Sequence, residues 1–440
     1  MKTTMKLLSL FFVTLTLSAL ASSGMSGPSD AGINPFSNGG NERNMIVVIS
    51  DLHLGADLAY AECKKNTGAL EKLLEQIKSA PDIKELVIAG DMFDEWYVPA
   101  TTETYQGKDQ ADFVKRISTA NKGVFDVVNR IIQEKKILVT YVPGNHDLSI
   151  TAANVESVLP GIRQARDEVQ GLGTYSPADY PKIAIEHGHR YNFFCAPDPI
   201  SNQDIAPGTI LPPGYFFTRI AALYVAQNRP PARDILPVVT PNISGGESQN
   251  LMFQYWKIWA MSIKMFPITN RFDEKIIKTN VNGFRGNFSV NDLVPFQSTT
   301  GGVMDSHLFI GIQDSWDARQ TYNNVPVHIS TARAIDSVGS NTETDHQANL
   351  QYFMNPASDK RIVVFGHTHE SKIVAAESYD HKKCIYANSG TWIDRNPKLT
   401  TMNFIVITPQ NKEASSQTSV KLYNFENEVV TKMAEESLRD

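Results

Sequence analysis

Histidine, aspartate and asparagine side chains recur in five short motifs, each of which follows an apolar run of the chain. The motifs are Asp51-Leu52-His53, Gly90-Asp91-Met92-Phe93-Asp94, Gly144-Asn145-His146-Asp147, Glu186-His187-Gly188-His189 and Gly366-His367-Thr368-His369. Their oxygen and nitrogen donors suit Mn, Fe, Zn, Ni or Co, and no thiolate is needed. A pair of such ions can lower the pKa of a bridging water and neutralise phosphoryl oxygens during an in-line attack.

The spacing within the motifs favours one shared site over isolated residues. Alternate residues that leave a strand point the same way, so Asp51 and His53 can reach one ion, and His367 and His369 can serve two neighbouring ions. A single Asp-x-His could simply cap a turn, and a single histidine is more often an ordinary core or surface residue. Together, motifs at successive strand ends predict one metal-binding edge of a sheet.

Apolar periodicity places these motifs on an α/β framework. Strands are predicted at residues 45–50, 85–89 and 137–142, with a helix around residues 70–77 and a second helix over residues 113–132 between them. This βαβαβ order is typical of an α/β core. Later strands are predicted at residues 183–186, 361–365, 384–387, 402–407 and 420–425. A run of strands after an alternating first half indicates a sheet sandwich flanked by helices.

Residues 200–350 break this alternation with a Pro-rich beginning, two apolar helical stretches and a polar end. We expect them to form an inserted, largely helical cap between the two parts of a core, residues 45–199 and 351–425. The stretch 251–266 is apolar almost all round, which favours a helix buried in the cap over a wall for a lipid or aryl phosphoester. Four aromatic residues could line a pocket but are more typical of a cap core: Trp256, Trp259, Phe266 and Phe272.

The first residues predict export from the cytoplasm. Lys2 and Lys6 precede an apolar run that ends in Ala19-Leu20-Ala21, so residues 1–21 have the layout of a secretory signal peptide. The run of 14 residues is shorter than a bilayer span, which needs roughly 20. We therefore expect a periplasmic or secreted protein, with residues 22–44 as a flexible leader and residues 426–440 as a C-terminal tail.

Charge and cysteine content narrow the classes of partner. Loss of Lys2 and Lys6 would change the formal net charge from −6 to −8. An acidic chain without basic blocks does not favour a protein that holds long nucleic acid. Cys63, Cys195 and Cys384 permit at most one internal disulfide, and buried inert thiols are the favoured interpretation.

In this order the five motifs resemble those of the calcineurin-like metallophosphoesterase superfamily. Asn388-Ser389-Gly390-Thr391-Trp392 also resembles a segment often found after the last histidine motif of that superfamily. The resemblance covers residues 45 to about 195 and 355–425 and leaves the insertion unmatched. It implies an α/β fold, a four-layer α/β/β/α sandwich of two mixed sheets, to which the largely helical inserted cap is added.

The resemblance also implies a ligand set for two divalent or trivalent metal ions. The first ion would be held by Asp51, His53, Asp91 and His369. The second would be held by Asp91, Asn145, His187 and His367, so that Asp91 bridges the two. His189 remains an alternative to His187, because both belong to the same His-Gly-His motif.

Four further residues have expected roles beside the ions. His146 matches the superfamily's histidine that contacts the phosphoryl group or the leaving oxygen without binding metal. Asp147 would orient His146 by a hydrogen bond, or else cap the turn that follows. Asp94 is expected just outside the metal ligands, where it could instead stabilise a turn. Arg190 could clamp a phosphate, although a surface arginine is more common.

These expectations imply a metal-dependent hydrolase of a small phosphomonoester or phosphodiester. A lipid-headgroup or nucleic-acid phosphodiesterase is an alternative, and contact of the cap with a lipid or membrane surface would accompany the first of these. A non-catalytic binder of a phosphorylated ligand is the alternative from another class. Every expected metal ligand is present, and so is His146, which a pure binder would not need.

Overall fold

The computed structural model describes residues 34–232, 236–338, 341–397, 399–410 and 416–439. The predicted signal peptide and residues 22–33 of the predicted leader lie outside these ranges. Residues 34–44, the rest of the predicted leader, pack against the core. Phe36 is buried against the ring of Phe404, and the backbone N–H of Asn38 donates to the Asp82 carboxylate over 2.9 Å. Among the described residues, no helix combines the length and the apolar character that a bilayer crossing requires.

The first part of the chain alternates strands and helices as predicted. Its strands are β1 (Met45–Ile49), β2 (Ile83–Ala89), β3 (Leu138–Val142), β4 (Arg163–Gln164), β5 (Thr174–Tyr175) and β6 (Ile183–Glu186). Its helices are α1 (Thr67–Ser79), α2 (Gln110–Ala120), α3 (Lys122–Glu134) and α4 (Ala152–Val158). The prediction of a single helix over residues 113–132 is wrong. Asn121 interrupts it, because its side-chain amide donates to the carbonyls of Ile117 and Gly55 and stabilises a turn.

The inserted region is mainly helical. Its helices are α5 (Pro213–Ala226), α6 (Gly246–Met265), α7 (Trp316–Tyr322), α8 (Thr331–Asp336) and α9 (Asn341–Ala348), and a π-helix at Asn349–Phe353 follows. Two short antiparallel ladders pair β7 (Ile277–Val281) with β8 (Phe284–Phe288), and β9 (Phe296–Gln297) with β10 (Met304–Asp305). Trp259, Phe266 and Phe272 are buried and Trp256 is partly buried. The prediction of a buried helix at residues 251–266 is confirmed.

The last part of the chain is built of strands. They are β11 (Ile362–Phe365), β12 (Lys372–Glu377), β13 (Lys383–Asn388), β14 (Asn403–Thr408), β15 (Thr418–Glu426) and β16 (Val429–Leu438). Neither β12 nor β16 was predicted, because both are edge strands in which almost no residue is fully buried. Residues 426–440, expected as a tail, therefore contain a strand that pairs antiparallel with β15.

The strands form two mixed sheets that meet the prediction of an α/β/β/α sandwich. One sheet has seven strands in the order β16-β15-β14-β1-β2-β3-β4, and the other has five in the order β12-β13-β11-β6-β5. Strands β1 to β4 pair in parallel with one another, as do β6, β11 and β13. The remaining strands of the two sheets pair antiparallel with their neighbours. The carboxyl ends of the parallel strands carry the motifs.

Alternation along β1 shows how the layers pack. Ile46 and Val48 belong to the apolar cluster between the two sheets, together with Val364 of β11. Val47 and Ile49 point the other way, into the cluster formed with the buried faces of α1 and α3. A strand buried on both faces is typical of a parallel sheet covered by helices. This packing holds the end of β1, and the motif that follows it, in one place.

The insertion covers the other side of the sandwich. Val363 and Phe365 on the outer face of the second sheet pack with Val325 and Ala348 of the inserted region and with Phe353, which follows it directly. The aromatic residues of α5 and α6 share one continuous apolar cluster with the helices of the first sheet. The insertion is therefore part of the main core. Cys63, Cys195 and Cys384 are buried and unpaired, as the sequence favoured.

Candidate metal centre

All seven residues predicted as metal ligands lie at one edge of the sandwich, where parallel strands from both sheets end. They are Asp51 and His53 after β1, Asp91 after β2, Asn145 after β3, His187 after β6, and His367 and His369 after β11. His369 has a quarter of its side chain exposed, and the other six are buried. The two sheets thus supply four and three residues to the same place.

Asp51, His53 and His369 form the first group of donor atoms, all within 4.8 Å of one another. Asp51 Oδ1 lies 3.2 Å from His369 Nε2, and the Nε2 atoms of His53 and His369 are 3.1 Å apart. Two ring nitrogens at this distance need a proton or a cation between them, because a lone pair on each would repel the other. The donor set therefore fits a metal ion.

Asn145, His187 and His367 form the second group together with Asp91. Asn145 Oδ1 lies 3.0 Å from His187 Nε2 and 2.8 Å from His367 Nδ1. His187 Nε2 is also 3.2 Å from Asp91 Oδ2. An amide oxygen, two imidazoles and a carboxylate that converge in a buried pocket are a donor set that suits a borderline transition metal.

Asp91 lies between the two groups, where a bridging ligand would have to be. Its Oδ2 is 3.6 Å from His53 Nε2 on one side and 3.2 Å from His187 Nε2 on the other. Its Oδ1 instead accepts the backbone N–H of His146 over 2.8 Å. Asp51 also approaches both groups, because its Oδ1 lies 4.0 Å from His187 Nε2.

Backbone conformation marks the same residues. Five of the seven have a left-handed φ, between 45° and 70°, which residues other than glycine rarely adopt. They are Asp51, His53, Asp91, His367 and His369. Such conformations cost on the order of 1–3 kcal/mol each and persist where the surrounding structure enforces them, commonly at functional sites.

The glycines of the motifs allow the strand ends to approach one another. A Cβ at Gly90 would lie 2.4 Å from His187 Nδ1, and one at Gly366 would lie 2.5 Å from Asp51 Oδ2. Real atoms do not come this close, so any side chain at either position would displace a predicted ligand. The glycine in these motifs is thus explained by close packing around the donor atoms.

Contacts of Nδ1 determine which ring nitrogen of His187 and of His53 faces the cluster. His187 Nδ1 donates to the carbonyl of Ala89 over 2.9 Å, which directs Nε2 toward Asp91. His53 Nδ1 contacts Asp94 Oδ2 at 3.2 Å, which directs its Nε2 toward His369. Histidines that bind metal characteristically hold the other ring nitrogen in this way.

The electrostatics of the cluster favour positive charge. Burial alone would lower the pKa of His53, but Asp94 and Asp91 outweigh it and raise that pKa to about 10. The same competition, with Asp91 and Asp51 as the carboxylates, raises the pKa of His187 to about 9. Without metal these histidines therefore hold protons at neutral pH, and a bound cation must displace them.

His146 lies beside the cluster and opens to solvent, with 12% of its side chain exposed. Its Nδ1 lies 2.8 Å from Asp94 Oδ1. Burial opposes protonation of its ring, but Asp94 and Asp91 together raise its pKa above the ordinary value. The ring of Trp96 stacks on it with 5.0 Å between centroids.

The expectation that Asp147 orients His146 is wrong. The Asp147 carboxylate instead accepts the backbone N–H groups of Gly144, Met92 and Phe93, so it joins the loops after β2 and β3. Asp94 takes the orienting role, because it is the carboxylate that contacts both His146 and His53. Asp94 also accepts the backbone N–H groups of Trp96 and Tyr97, which stabilises the turn that was its other expected role.

Arg190 does not reach the cluster, so its expected role as a phosphate clamp does not fit the structure. Its buried guanidinium is paired with Glu186 and Asp167 and donates to Thr174. Arg190 is not a surface arginine either, which was the other expectation, because its side chain is buried. His189 also points away: its Nε2 donates to the carbonyl of Gly171 over 3.0 Å. Of the two histidines in this motif, only His187 lies against Asp91.

Glu62 was not anticipated from the sequence. Its carboxylate approaches His53 Nδ1 at 3.5 Å and groups with Asp94 and His146 on the side of His53 that faces away from His369. Burial raises the pKa of Glu62. Glu62 follows no predicted strand and belongs to no motif, so the sequence carried no signal for it. The same is true of the stacking of Trp96 on His146.

A comparison with protein families agrees with this geometry. Residues 45–210 match the family model described as calcineurin-like phosphoesterase. A search of curated proteins found no match to the chain. His367 and His369 lie beyond the matched residues, and the structure brings them to the same edge as the rest. Residues 45–210 therefore carry a calcineurin-like phosphoesterase domain.

Proposed function

We propose that the protein is a dinuclear-metal-dependent hydrolase of a small phosphomonoester or phosphodiester that acts outside the cytoplasm. The observation that supports it most directly is the convergence of six other donor side chains around Asp91, with His146 beside them. The location outside the cytoplasm rests on the sequence of residues 1–21 alone.

In this proposal Asp51, His53, Asp91 and His369 hold one ion, and Asp91, Asn145, His187 and His367 hold the other. When bound, the ions polarise the phosphoryl oxygens and supply an activated water for in-line displacement. The strand ends keep the donor atoms in place through the fixed ring orientations and the close glycine contacts described above. His187 is preferred to His189 because its Nε2 lies 3.2 Å from Asp91.

His146 acts on the leaving group. Asp94 holds Nδ1, so Nε2 is the ring nitrogen that can donate a proton to the leaving oxygen or to a phosphoryl oxygen. Asp94 and Asp91 raise the pKa of His146 above its ordinary value, which favours the protonated ring that a general acid requires. The partial exposure of His146 and His369 supports a substrate position on the solvent side of these two residues.

The proposal is tested by reconstituting the metal-free protein with Mn²⁺ and measuring hydrolysis of p-nitrophenyl phosphate and bis(p-nitrophenyl) phosphate. We expect hydrolysis of at least one ester only after metal addition, and its loss in His367→Ala. His328→Ala is the matched control, because His328 pairs with Asp317 at the surface of the insertion. Full activity in His367→Ala would overturn the site, and inactive metal-loaded protein would favour a phospho-ligand binder.

A lipid phosphodiester is the second candidate substrate, and exposed apolar side chains of the insertion favour it. Val238, Ile243 and Val303 are 86%, 96% and 68% exposed. Gln297 joins the loops that carry them through hydrogen bonds to Thr240 and Gly302. Exposed apolar side chains on joined loops could enter the surface of a bilayer.

Sedimentation with phosphatidylglycerol vesicles tests this candidate. The double variant Val238→Ser with Ile243→Ser should reduce the bound fraction, whereas Val429→Ser on β16, also half exposed, should not. Equal sedimentation of wild type and double variant would remove the support for a lipid substrate and leave the small soluble phosphoester.

A further inference from the structure

Arg219 connects the insertion to the loop that follows the second metal-binding motif. It lies on α5, its side chain is completely buried, and its guanidinium donates mainly to backbone carbonyls. Nε donates to Val98 over 2.6 Å, while Nη2 donates to Thr102 and to Lys278 of β7. Nη1 donates to the hydroxyl of Thr104 over 3.1 Å. One side chain thus anchors residues 98–104 to two elements of the insertion.

Backbone hydrogen bonds reinforce this anchor. The Ala100 N–H donates to the Arg219 carbonyl over 3.1 Å, and the Lys278 N–H donates to the Ala100 carbonyl over 2.8 Å. Tyr215, one turn before Arg219, accepts from Nη1 over 2.6 Å. Residues that lie far along the chain therefore form hydrogen bonds with both the backbone of loop 98–104 and the side chain of Thr104.

The anchored loop leads directly to His146. Trp96 precedes residue 98, its carbonyl accepts the Val98 N–H over 2.8 Å, and its ring stacks on the His146 ring. The same indole touches α5: a Cβ at Gly214 would lie 3.2 Å from Trp96 Cζ3, and the Tyr215 ring meets it edge-on at 6.1 Å. Trp96 is thus held between the insertion and the histidine of the site.

We propose that Arg219 is a positioning residue for His146, which acts through the loop 98–104 and Trp96 so that the insertion sets the orientation of the leaving-group histidine. This role rests on the proposed function, in which His146 protonates the leaving oxygen. Lysine cannot replace the arginine here, because the planar guanidinium serves several carbonyls in fixed directions whereas an ammonium is a single point. Loss of these bonds would free the loop and rotate Trp96 against His146.

The first test compares two phosphomonoesters in Arg219→Lys. A poor leaving group such as an alkyl alcohol needs a proton from His146, whereas p-nitrophenolate leaves without one. We expect kcat/KM for the alkyl ester to fall at least about 10-fold more than kcat/KM for the p-nitrophenyl ester. Partial unfolding would lower both rates equally and leave their ratio unchanged.

Arg319→Lys is the matched control for this comparison. Arg319 is another completely buried arginine of the insertion, but it donates to the Ala196 carbonyl and lies near Asp198, so it does not contact the loop 98–104. We expect this variant to keep the ratio of the two rates whatever it does to stability.

The second test needs neither metal nor activity. In protein labelled with 5-fluorotryptophan, the five tryptophans give separate ¹⁹F signals, and Trp96→Phe identifies the signal of Trp96. Arg219→Lys should shift the Trp96 signal and leave that of Trp392 unchanged, while Arg319→Lys should leave both. If Arg219→Lys does not fold, Tyr215→Phe removes one partner of Arg219 and should shift the same signal less.

The outcomes separate the two hypotheses. A wild type that hydrolyses neither these monoesters nor bis(p-nitrophenyl) phosphate overturns the proposed function. In that case, and where the wild type hydrolyses only the diester, the Trp96 signal decides the structural link. An unchanged Trp96 signal overturns the inference in either case. An unchanged ratio of rates in an otherwise active Arg219→Lys variant also overturns it, because the insertion then does not act on His146.

Discussion

The metal-binding edge and the insertion are both buried, yet they use their polar side chains in opposite ways. At the edge, ring nitrogens and carboxylates point at one another, and five of the residues have left-handed backbone. In the insertion, Arg219 donates to backbone carbonyls, and Trp259 packs among other aromatic rings. Oxygen and nitrogen donor atoms that converge on one place indicate a site for an ion, whereas hydrogen-bond donors that pair with backbone carbonyls hold elements in place.

Loss of the Asp91 carboxylate should have the largest effect among the substitutions that distinguish the edge from the insertion. Asp91→Asn should lose both bound ions and more than about 1,000-fold of the rate, above what one oxyanion donor supplies. Metal content by inductively coupled plasma mass spectrometry and kcat/KM measure the two losses. Asp198→Asn is the control, since Asp198 is a buried carboxylate just before the insertion that accepts backbone N–H groups and belongs to neither group of donor atoms. Equal metal loss in both variants would contradict the distinction.

Removal of His146 should separate metal binding from catalysis. His146→Asn should lower kcat by about 10²–10⁴, the usual contribution of a general acid. It should leave two ions bound, because His146 is not one of the seven predicted ligands. The loss should be greater for an alkyl ester than for p-nitrophenyl phosphate. A loss of metal that parallels the loss of rate would make His146 a ligand instead.

Truncation of the aromatic core of the insertion should act on stability. Trp259→Ala should lower the free energy of unfolding by about 3–5 kcal/mol, as for other buried large-to-small changes, because Trp259 is fully buried against Phe194, Phe217 and Tyr255. Urea denaturation measures the change, and KM of the remaining folded enzyme should stay constant. A raised KM at unchanged stability would place Trp259 in the substrate pocket.

The pH dependence of metal-free protein tests the charge balance at the edge. The pKa of His53 rises from 6.5 to about 10 on folding and that of His187 from 6.5 to about 9. Protonation therefore stabilises the fold fully below pH 6.5, and this stabilisation is lost as the pH rises through 9 and 10. Thermal unfolding of metal-free protein should show a decline over this range, and Mn²⁺ should reverse it.

His53→Gln is the control for this pH series. It removes the larger of the two shifts, so the decline in melting temperature should become smaller. A metal-free wild type whose stability is constant or rises between pH 6.5 and 10 would contradict the charge balance at the edge.

The sequence predicted the edge far better than the insertion, for a physical reason. Asp91 and His367 follow apolar strands and stand next to glycines, so periodicity and local motifs locate them. Asp94 shows the limit: its motif was recognised, but its contact with His146 depends on how the loops after β2 and β3 fold together. Arg219 is a charged residue in an apolar helix, and its loop partners Val98 and Thr104 lie more than 100 residues earlier in the chain.

The errors in the predicted fold also arise from contacts between residues that lie far apart in the chain. The break at Asn121 arises from a bond to Gly55, which lies 66 residues away and leaves no mark in the local pattern. Strand β16 has few buried residues, so its pairing with β15 is decided by the sheet edge and not by its own hydrophobicity. Local patterns predict elements with a buried face, and long-range hydrogen bonds decide the rest.

Anomalous diffraction from crystals loaded with Mn²⁺ tests the central claim most directly. The account predicts two peaks, one among Asp51, His53 and His369 and one among Asn145, His187 and His367, with Asp91 in contact with both. A single peak, or a peak among His53, Glu62, Asp94 and His146, would contradict it.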